Sequence, residues 1–363
     1  MLRTVIGTVE KPSPTSSPKP SPTRILLVRP DRIGDVLLST PAVEALRKSL
    51  PEVFLVMLVA PEARDIVDGN PYLNTFLILD KKGEHRGFFG MIRLIRALRE
   101  FQFDTAVVFH GTRRIHLALW LARIPERVGY DRKWGFLLTK RFKDVKVLGK
   151  KHESDYTLDL IRSLGLPVSG GKVTMPTTVE SDLRMDRFLK EQGVREGDRL
   201  VAIHPGASCP SKRWPAERFA EVADHLLEKN YKVVLIAGPQ DIATGRAVVQ
   251  KMKRPLIDAS GKTSIRELGS LLKRMDLLVS NDSGPVHVAA GVGTPVVAIF
   301  GRSQPGLSQT RWRPLGEGHI VLQKDVGCVV CLAHNCQIHF ECLQALSVKE
   351  VLEAAEQILE KKQ

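Results

Sequence analysis

The sequence has little of what marks a membrane, secreted or nucleic-acid-binding protein. No apolar run approaches the roughly 18 residues needed to cross a bilayer, and the longest, residues 54–60, has the length of a strand. The N-terminus lacks the apolar core of a signal peptide, which favours the cytosol. Aromatic residues make up only 6%, and no helix-turn-helix or RNA-binding signature is present. There are five cysteines, which in a reducing compartment do not indicate disulfides.

The charge balance is unusual, because 54 Lys and Arg stand against 40 Asp and Glu, a net charge of +14. Such an excess suggests an anionic partner: nucleic acid, phosphates, a nucleotide or a membrane surface. The excess is concentrated in residues 81–151, which hold 18 basic and 6 acidic residues. A solvated basic face is the simpler interpretation of this segment.

The length and the pattern predict two α/β domains. Residues 1–23, rich in Pro, Ser, Thr and Lys, are predicted to be a disordered tail. Continuous apolar runs, typical of parallel strands buried on both faces, lie at 24–28, 53–59, 105–109, 200–204, 233–237, 277–280 and 296–300. Helical patterns alternate with them, most clearly at 215–229. The turn-rich stretch 165–178 divides an N-terminal domain, 24–170, from a C-terminal domain, 171–346, and a helix in 347–363 ends the chain.

The first motif, residues 29–41, reads RPDRIGDVLLSTP and lies between the first strand and a helix at 42–50. Gly34 would let the backbone approach a ligand closely. Asp35 would project into the cleft at the strand's carboxyl end, as a general base or as a helix cap, and capping is the commoner role. The motif has neither the glycines of a dinucleotide fingerprint nor the Gly-Lys-Ser/Thr of a Walker loop.

The second motif, residues 204–215, reads HPGASCPSKRWP and also joins a strand to a helix. Small residues such as Ser208 expose backbone N–H groups, and Lys212 adds a cation just before the helix begins. This combination suits a diphosphate, although an ordinary turn with a solvated Lys-Arg pair is equally consistent with it.

The third motif, residues 281–295, reads NDSGPVHVAAGVGTP. Asp282, Ser283 and Gly284 open a helix whose first N–H groups can hold phosphate oxygens, and Asp282 could instead cap the helix or hold a ligand hydroxyl. His287 lies about one turn into that helix, where a histidine is more often packed than functional. Between the second and third motifs, Asp241 follows another strand and could accept ribose hydroxyls.

Four cysteines, Cys328, Cys331, Cys336 and Cys342, follow a C-x2-C-x4-C-x5-C spacing near the end of the second domain. Four thiolates so close in sequence can bind zinc tetrahedrally, which indicates a structural zinc site. The alternative is a loop of reduced, partly buried cysteines.

Taken together and in order, the three motifs resemble those of glycosyltransferase family 9, the ADP-heptose:lipopolysaccharide heptosyltransferases, over residues 24–360. The resemblance implies a GT-B fold, in which two Rossmann-like domains face a cleft. It also implies that the N-terminal domain takes the acceptor and that the C-terminal domain binds the nucleotide sugar.

Carried over from the family, Asp35 would be the base that deprotonates the acceptor hydroxyl, with inversion at the anomeric carbon. Lys212 would stabilise the departing ADP. The other residues that the resemblance places at the donor are Ser208, Asp241, Asp282, Ser283, Gly284 and His287, of which Asp241 is the loosest match. No cofactor is implied for catalysis, and no Asp-x-Asp motif stands at a strand end. One sequence assigns no acceptor-binding residue.

The implied partners are an ADP-sugar donor, a lipid A-Kdo-type glycolipid acceptor and an anionic membrane surface that meets the basic N-terminal domain, without nucleic acid. The implied location is cytoplasmic, peripheral on the inner face of the inner membrane. Two alternatives stay open at this point. One is a GT-B-like sugar-nucleotide epimerase, against which the Asp35 motif argues. The other is a non-enzymatic protein that binds nucleic acid or another anion.

Overall fold

The computed structural model describes residues 22–361. The predicted disordered tail therefore lies, up to residue 21, outside the described residues. Twelve parallel strands form two six-stranded sheets within the described part, which confirms the mixed α/β, GT-B architecture.

The first sheet has the order β3-β2-β1-β4-β5-β6. Its strands are β1 (Arg24–Arg29), β2 (Phe54–Val59), β3 (Thr75–Ile78), β4 (Thr105–Val108), β5 (Glu126–Asp131) and β6 (Lys140–Lys143). Its helices are α1 (Ile33–Leu37), α2 (Thr40–Ser49), α3 (Arg64–Val67), α4 (Gly87–Glu100), α5 (Arg113–Leu121) and α6 (Glu153–Arg162). Short 3-10 turns lie at 61–63, 135–137 and 146–148.

The second sheet has the order β12-β11-β10-β7-β8-β9. Its strands are β7 (Leu200–His204), β8 (Lys232–Leu235), β9 (Ile257–Asp258), β10 (Leu277–Asn281), β11 (Val296–Phe300) and β12 (Ile320–Gln323). Its helices are α7 (Val179–Glu191), α8 (Ala216–Glu228), α9 (Ile242–Val249), α10 (Ile265–Leu272), α11 (Gly284–Val292), α12 (Gln309–Trp312), α13 (Glu341–Gln344) and α14 (Val348–Glu360). A 3-10 turn at 210–212 follows β7.

Both sheets have the 3-2-1-4-5-6 order of doubly wound folds when their strands are counted from the start of each half. In such sheets the crossover direction reverses between the first and fourth strands, and ligands bind outside the carboxyl ends at that point. The reversal lies between β1 and β4 in one half and between β7 and β10 in the other. The first motif follows β1, the second follows β7 and the third follows β10.

Apolar packing covers both faces of each sheet. One cluster joins β1, β2 and α2 to α10, α11 and β10, so it runs continuously from one half into the other. The opposite face of the first sheet packs on α4 and α5, and that of the second on α8 and α14.

Residues 165–178 contain no helix or strand, as predicted. The domain boundary at 170/171 remains a prediction.

Candidate functional site

The first motif places Asp35 inside a short helix rather than at a helix cap. Strand β1 ends at Arg29, and α1 begins four residues later, with Asp35 in its first turn. The expected helix at 42–50 begins earlier, at Thr40, as α2. Asp35 therefore stands at the carboxyl edge of the first sheet, and the capping alternative is wrong.

Arg29 is buried, and it gathers three carboxylates around its guanidinium. Its Nη2 lies 2.7 Å from Asp35 Oδ1 and 2.9 Å from Glu153 Oε1, and its Nε lies 3.0 Å from Asp31 Oδ1. His110, which follows β4, places its Nδ1 3.1 Å from the second oxygen of Asp31. Because the single guanidinium of Arg29 is shared by three carboxylates, it cannot fully offset the free-energy cost of burying each of them.

The two aspartates of this group are shifted in opposite directions. Burial raises the pKa of Asp35 against the pull of Arg29, and the charges of Asp31 and Glu153 act in the same direction as burial. At Asp31 burial also acts to raise the pKa, but Arg29 and then His110 outweigh it and hold the pKa below its usual range. A pair of neighbouring carboxyls with separated pKa values is typical of acid–base sites. Asp35 is the member suited to take up a proton.

Glu153, fully buried at the start of α6, links this cluster to the second half of the chain. Its Oε1 also lies 3.0 Å from Lys146 Nζ, and its Oε2 accepts a hydrogen bond from Arg311 Nε at 2.8 Å and lies 2.7 Å from Arg311 Nη2. The three cations hold its pKa well below the usual range despite its burial. A buried carboxylate strongly destabilises the fold when its cationic partners are removed. Glu153 therefore couples Arg29 to Arg311 of the other half.

Lys212 is directed at the third motif. Its Nζ lies 2.6 Å from Asp282 Oδ2 and 3.3 Å from the Asp282 carbonyl oxygen. Arg302, which follows the neighbouring strand β11, lies 3.6 Å from the same carboxylate oxygen through its Nη2. All three side chains are largely buried. Two cations on one carboxylate leave a net positive charge, which suits a polyanionic ligand.

The third motif adds a helix N-terminus to this positive charge. Gly284 begins α11, and Ser283 stands at the N-cap position, where its hydroxyl lies 3.1 Å from Nδ1 of His204. Asn281 donates from its amide to the Pro205 carbonyl oxygen at 2.7 Å and accepts from the Trp214 N–H at 3.1 Å. These hydrogen bonds fix the second and third motifs to each other, so Lys212 and the N-terminus of α11 belong to the same part of the site.

His287 brings the third motif against the first. A Cβ built on Gly34 would lie 2.8 Å from His287 Cδ2, so only glycine permits this approach. Burial lowers the pKa of His287 to about 4, and the ring is neutral at pH 7. Among residues 22–361, nothing pairs with its buried Nδ1. A neutral ring with one unpaired nitrogen can hydrogen-bond a ligand without adding charge.

Asp241 and Ser208 lie on the rim formed by the second motif. Asp241 stands at the start of α9, and its carboxyl carbon lies 2.4 Å from where a Cβ on Gly206 would stand. Burial raises the pKa of Asp241. Ser208 is exposed in the same loop. The structure thus places Asp241 beside the second motif, and the roles of Asp241 and Ser208 in donor binding stay predictions.

Several charged or titratable residues of this site were not singled out from the sequence: Arg29, Asp31, His110, Lys146, Glu153, Arg302 and Arg311. The first three and Arg302 could have been found, because each lies at or within two residues of the carboxyl end of a strand. The local sequence around the others carries no such signal.

Burial and then the charges of the other three clustered thiols raise the pKa of Cys342 to about 11. All four are free and half-buried. Across residues 22–361, however, no three His, Cys, Asp or Glu side chains are arranged to hold a metal ion. As they stand, these thiols do not form a finished metal site, and the zinc prediction remains open.

A cavity of about 420 Å³ lies beside the Glu153 cluster, and a second of about 400 Å³ lies near α3 and α10. The larger is lined by Arg132, Lys146 and Arg311 together with residues 304–307. Neither cavity is lined by Asp35 or Lys212.

Comparison with known proteins finds relatives that cover most of this chain. The model of glycosyltransferase family 9 (heptosyltransferase) matches residues 91–340. Lipopolysaccharide heptosyltransferase 3 of Escherichia coli K12 is 29% identical over 90% of this chain and 95% of its own length. A family 9 glycosyltransferase from Veillonella parvula is 27% identical, with a TM-score of 0.81 over 93% of this chain and 97% of its own. The E. coli ADP-heptose lps heptosyltransferase II is 22% identical, with a TM-score of 0.77 over 94% and 99% of the two chains.

Proposed function

The chain belongs to glycosyltransferase family 9, and from this premise we propose that it is an inverting enzyme that moves a heptose or a related sugar from an ADP-sugar to a lipopolysaccharide inner-core acceptor. The family assignment makes it a glycosyltransferase, which sets aside the epimerase and the non-enzymatic alternatives. The relatives named as lipopolysaccharide heptosyltransferases support the sugar and the acceptor class.

One observation supports this proposal most directly: the carboxyl-edge loops of the two sheets bring a base and an anion site to facing positions. Gly34, next to Asp35, touches His287 of the third motif. The third motif in turn holds Lys212 through Asp282. We propose that the half before residue 171 takes the acceptor, that residues 171–346 bind the donor, and that the final helix, 347–363, supports the second half.

In the proposed reaction Asp35 accepts the proton of the acceptor hydroxyl. The acceptor oxygen forms a bond to the anomeric carbon from the face opposite the diphosphate, and the bond from that carbon to the diphosphate oxygen breaks. Burial keeps the carboxylate basic, and Arg29 orients it through the 2.7 Å contact. A positioned base of this kind contributes about 10²–10⁴ to the rate.

The leaving ADP carries away the electron pair and its charge. Lys212 and Arg302, together with the N-terminus of α11, supply positive charge where that negative charge develops. Ser208, Ser283 and Gly284 would offer hydroxyl and backbone donors to the diphosphate, His287 would contact phosphate or sugar, and Asp241 would hold the ribose. No divalent cation is needed in this scheme.

The proposed acceptor, a lipid A-Kdo-type glycolipid, is anionic and belongs to a membrane. No helix in residues 22–361 has both the length and the apolar character to cross one. We propose that the enzyme acts from the cytoplasm as a peripheral protein on the inner face of the inner membrane. The basic segment 81–151 would meet that surface, rather than nucleic acid.

The test is a donor and acceptor screen followed by mass spectrometry. We expect transfer from ADP-heptose to a Kdo-bearing lipid A acceptor, and a product whose anomeric configuration is opposite to that of the donor. ADP-glucose and UDP-sugars are the matched alternatives. A retained configuration, or transfer only from a UDP-sugar, would contradict the proposal.

We also propose a structural zinc ion at the four clustered cysteines, on the strength of their C-x2-C-x4-C-x5-C spacing in the sequence. Protein purified without chelator should contain about one zinc per chain, measured by plasma mass spectrometry. Changing Cys328 and Cys331 to serine should abolish the metal, whereas Cys209→Ser, at a buried cysteine outside the cluster, should leave it in place. Metal-free wild-type protein with an unchanged melting temperature would discard the zinc.

A further inference from the structure

Two adjacent phenylalanines stand exposed at the start of α4. Phe88 and Phe89 are 74% and 78% exposed, and their rings contact each other edge to face with centroids 5.8 Å apart. The large exposed aromatic side chains of the described residues, the others being Trp120, Trp134 and Phe136, lie in the first half of the chain. An exposed apolar pair of this size in a folded protein indicates a contact with something else.

The phenylalanine pair is surrounded by positive charge. We call the pair and its neighbours the α4 face, and its cations are Lys81, Lys82, Arg86, Arg93, Arg113 and Arg114. The side chains are exposed apart from the half-buried Arg114, and the ammonium end of Lys81 is partly buried against Pro30. Asp80 and Glu84 are the acidic residues of the loop, and the carboxylate of Asp80 is already bound to the backbone N–H groups of Lys82 and Gly83.

The α4 face adjoins the proposed acceptor site. Its loop follows β3 at the carboxyl edge of the first sheet, and Lys81 donates from Nζ to the Pro30 carbonyl oxygen at 2.8 Å, inside the first motif. Arg114, at the start of α5, donates to the carbonyl oxygens of His85 and Gly87. These contacts hold the start of α4 beside the first motif, which carries Asp35.

Cations from three segments of the chain lie near one another at the carboxyl edge of the first sheet. Burial and then the nearby cations Arg114 and Lys133 lower the pKa of Lys81, while Asp31 and Glu62 act in the opposite direction. Cations held close together in this way gain from an anionic surface that screens their repulsion.

We propose that the α4 face docks on an anionic membrane leaflet, with Phe88 and Phe89 inserted among the acyl chains and the surrounding cations on the lipid headgroups. The inference deepens the proposed function, because docking here would set α1, which carries Asp35, at the surface from which a glycolipid presents its sugar. Aromatic residues with flanking Lys and Arg are the composition of interfacial membrane anchors. The partner that fits this face is a lipid surface and not a folded protein, because the apolar part of the face consists of two side chains rather than an extended patch.

The test is co-sedimentation of the full chain with vesicles of equal parts phosphatidylglycerol and phosphatidylcholine, and with vesicles of phosphatidylcholine alone. We expect binding to the anionic vesicles only. The double change Phe88→Ser and Phe89→Ser should weaken that binding about tenfold or more, without a change in melting temperature, because both side chains are exposed. Changing Val179 and Leu183 to serine is the matched control, since these side chains are also exposed but lie in the second half.

Vesicle binding requires no turnover, so its failure and the failure of the proposed function can be told apart. Transfer to an acceptor freed of its lipid should be the same in the Phe88/Phe89 variant and in the wild type. The proposal is overturned if that variant binds vesicles like the wild type, or if the Val179/Leu183 control loses as much. It is also overturned if the phenylalanine changes alter only the oligomeric mass in light scattering, which would assign the face to a second copy of the chain.

Discussion

Changing Asp35 to asparagine should lower the rate of sugar transfer by about 10²–10⁴-fold, the usual contribution of a positioned general base. Asparagine has nearly the same shape and can still accept the hydrogen bond from Arg29, so the fold and ADP binding should be retained. The measurements are kcat by mass spectrometry and the Kd of ADP by calorimetry. Normal turnover would exclude Asp35 as the base.

Asp31→Asn is the matched control, because Asp31 shares the same guanidinium. If Asp35 served only to balance the charge of Arg29, both substitutions would cost a similar amount. We expect the Asp31 change to cost far less, since that carboxylate is held by Arg29 and His110. Equal losses of transfer rate would indicate that both aspartates are positioning residues and that neither is the general base.

The pH dependence gives an independent readout for Asp35. Because the base must be ionised and burial raises its pKa, kcat/KM should fall with decreasing pH at a higher pH than an ordinary aspartate would set. Glu153→Gln should move this fall in kcat/KM to lower pH. The substitution removes a negative charge near Asp35, and the charge of Arg29 is then offset by one carboxylate fewer. An acid limb that stays in place in the Glu153 variant would show that the limb does not report Asp35.

Changing Lys212 to alanine should lower kcat by about 10²–10³-fold, the loss seen when one preorganised donor is removed from the site of developing charge. It should also weaken ADP binding, because Asp282 would then face the diphosphate with only the more distant Arg302 as its partner. The two measurements are single-turnover kinetics and calorimetry with ADP.

Lys229→Ala, at an exposed lysine at the end of α8, controls for the loss of one positive charge and should leave both quantities unchanged. Lys212→Arg keeps the charge but changes its geometry, so it should recover ADP binding more than turnover. Unchanged kinetics in Lys212→Ala would remove the lysine from the diphosphate site.

The pattern of apolar runs predicted the inner strands and missed the outer ones. All seven strands predicted from the sequence are confirmed to within a residue or two. The missed strands are β3, β5, β6, β9 and β12, and four of them are the edges of their sheets. The edge strands are short and less covered: β3 and β12 are half-buried with three apolar residues each, β9 has two residues, and β6 reads KRFK. Continuous apolar runs mark only strands buried on both faces.

The sequence determined which residues reach the carboxyl edges, because each motif directly follows an apolar strand and is therefore placed by the strand alone. That reasoning located Asp35, Lys212 and Asp282. It could not show that Arg29 is shared with Glu153, 124 residues away, or that Arg311 from the other half holds the same carboxylate. It also left open whether Asp35 caps a helix.

These points were decided by tertiary structure, because a buried charge is tolerated only where partners from distant parts of the chain meet it. Which partners meet depends on how the two sheets pack and not on any local pattern. The same holds for Phe88 and Phe89, because their apolar character alone does not show whether they are buried. Only the packing of α4 leaves them exposed, beside the first motif, which carries Asp35.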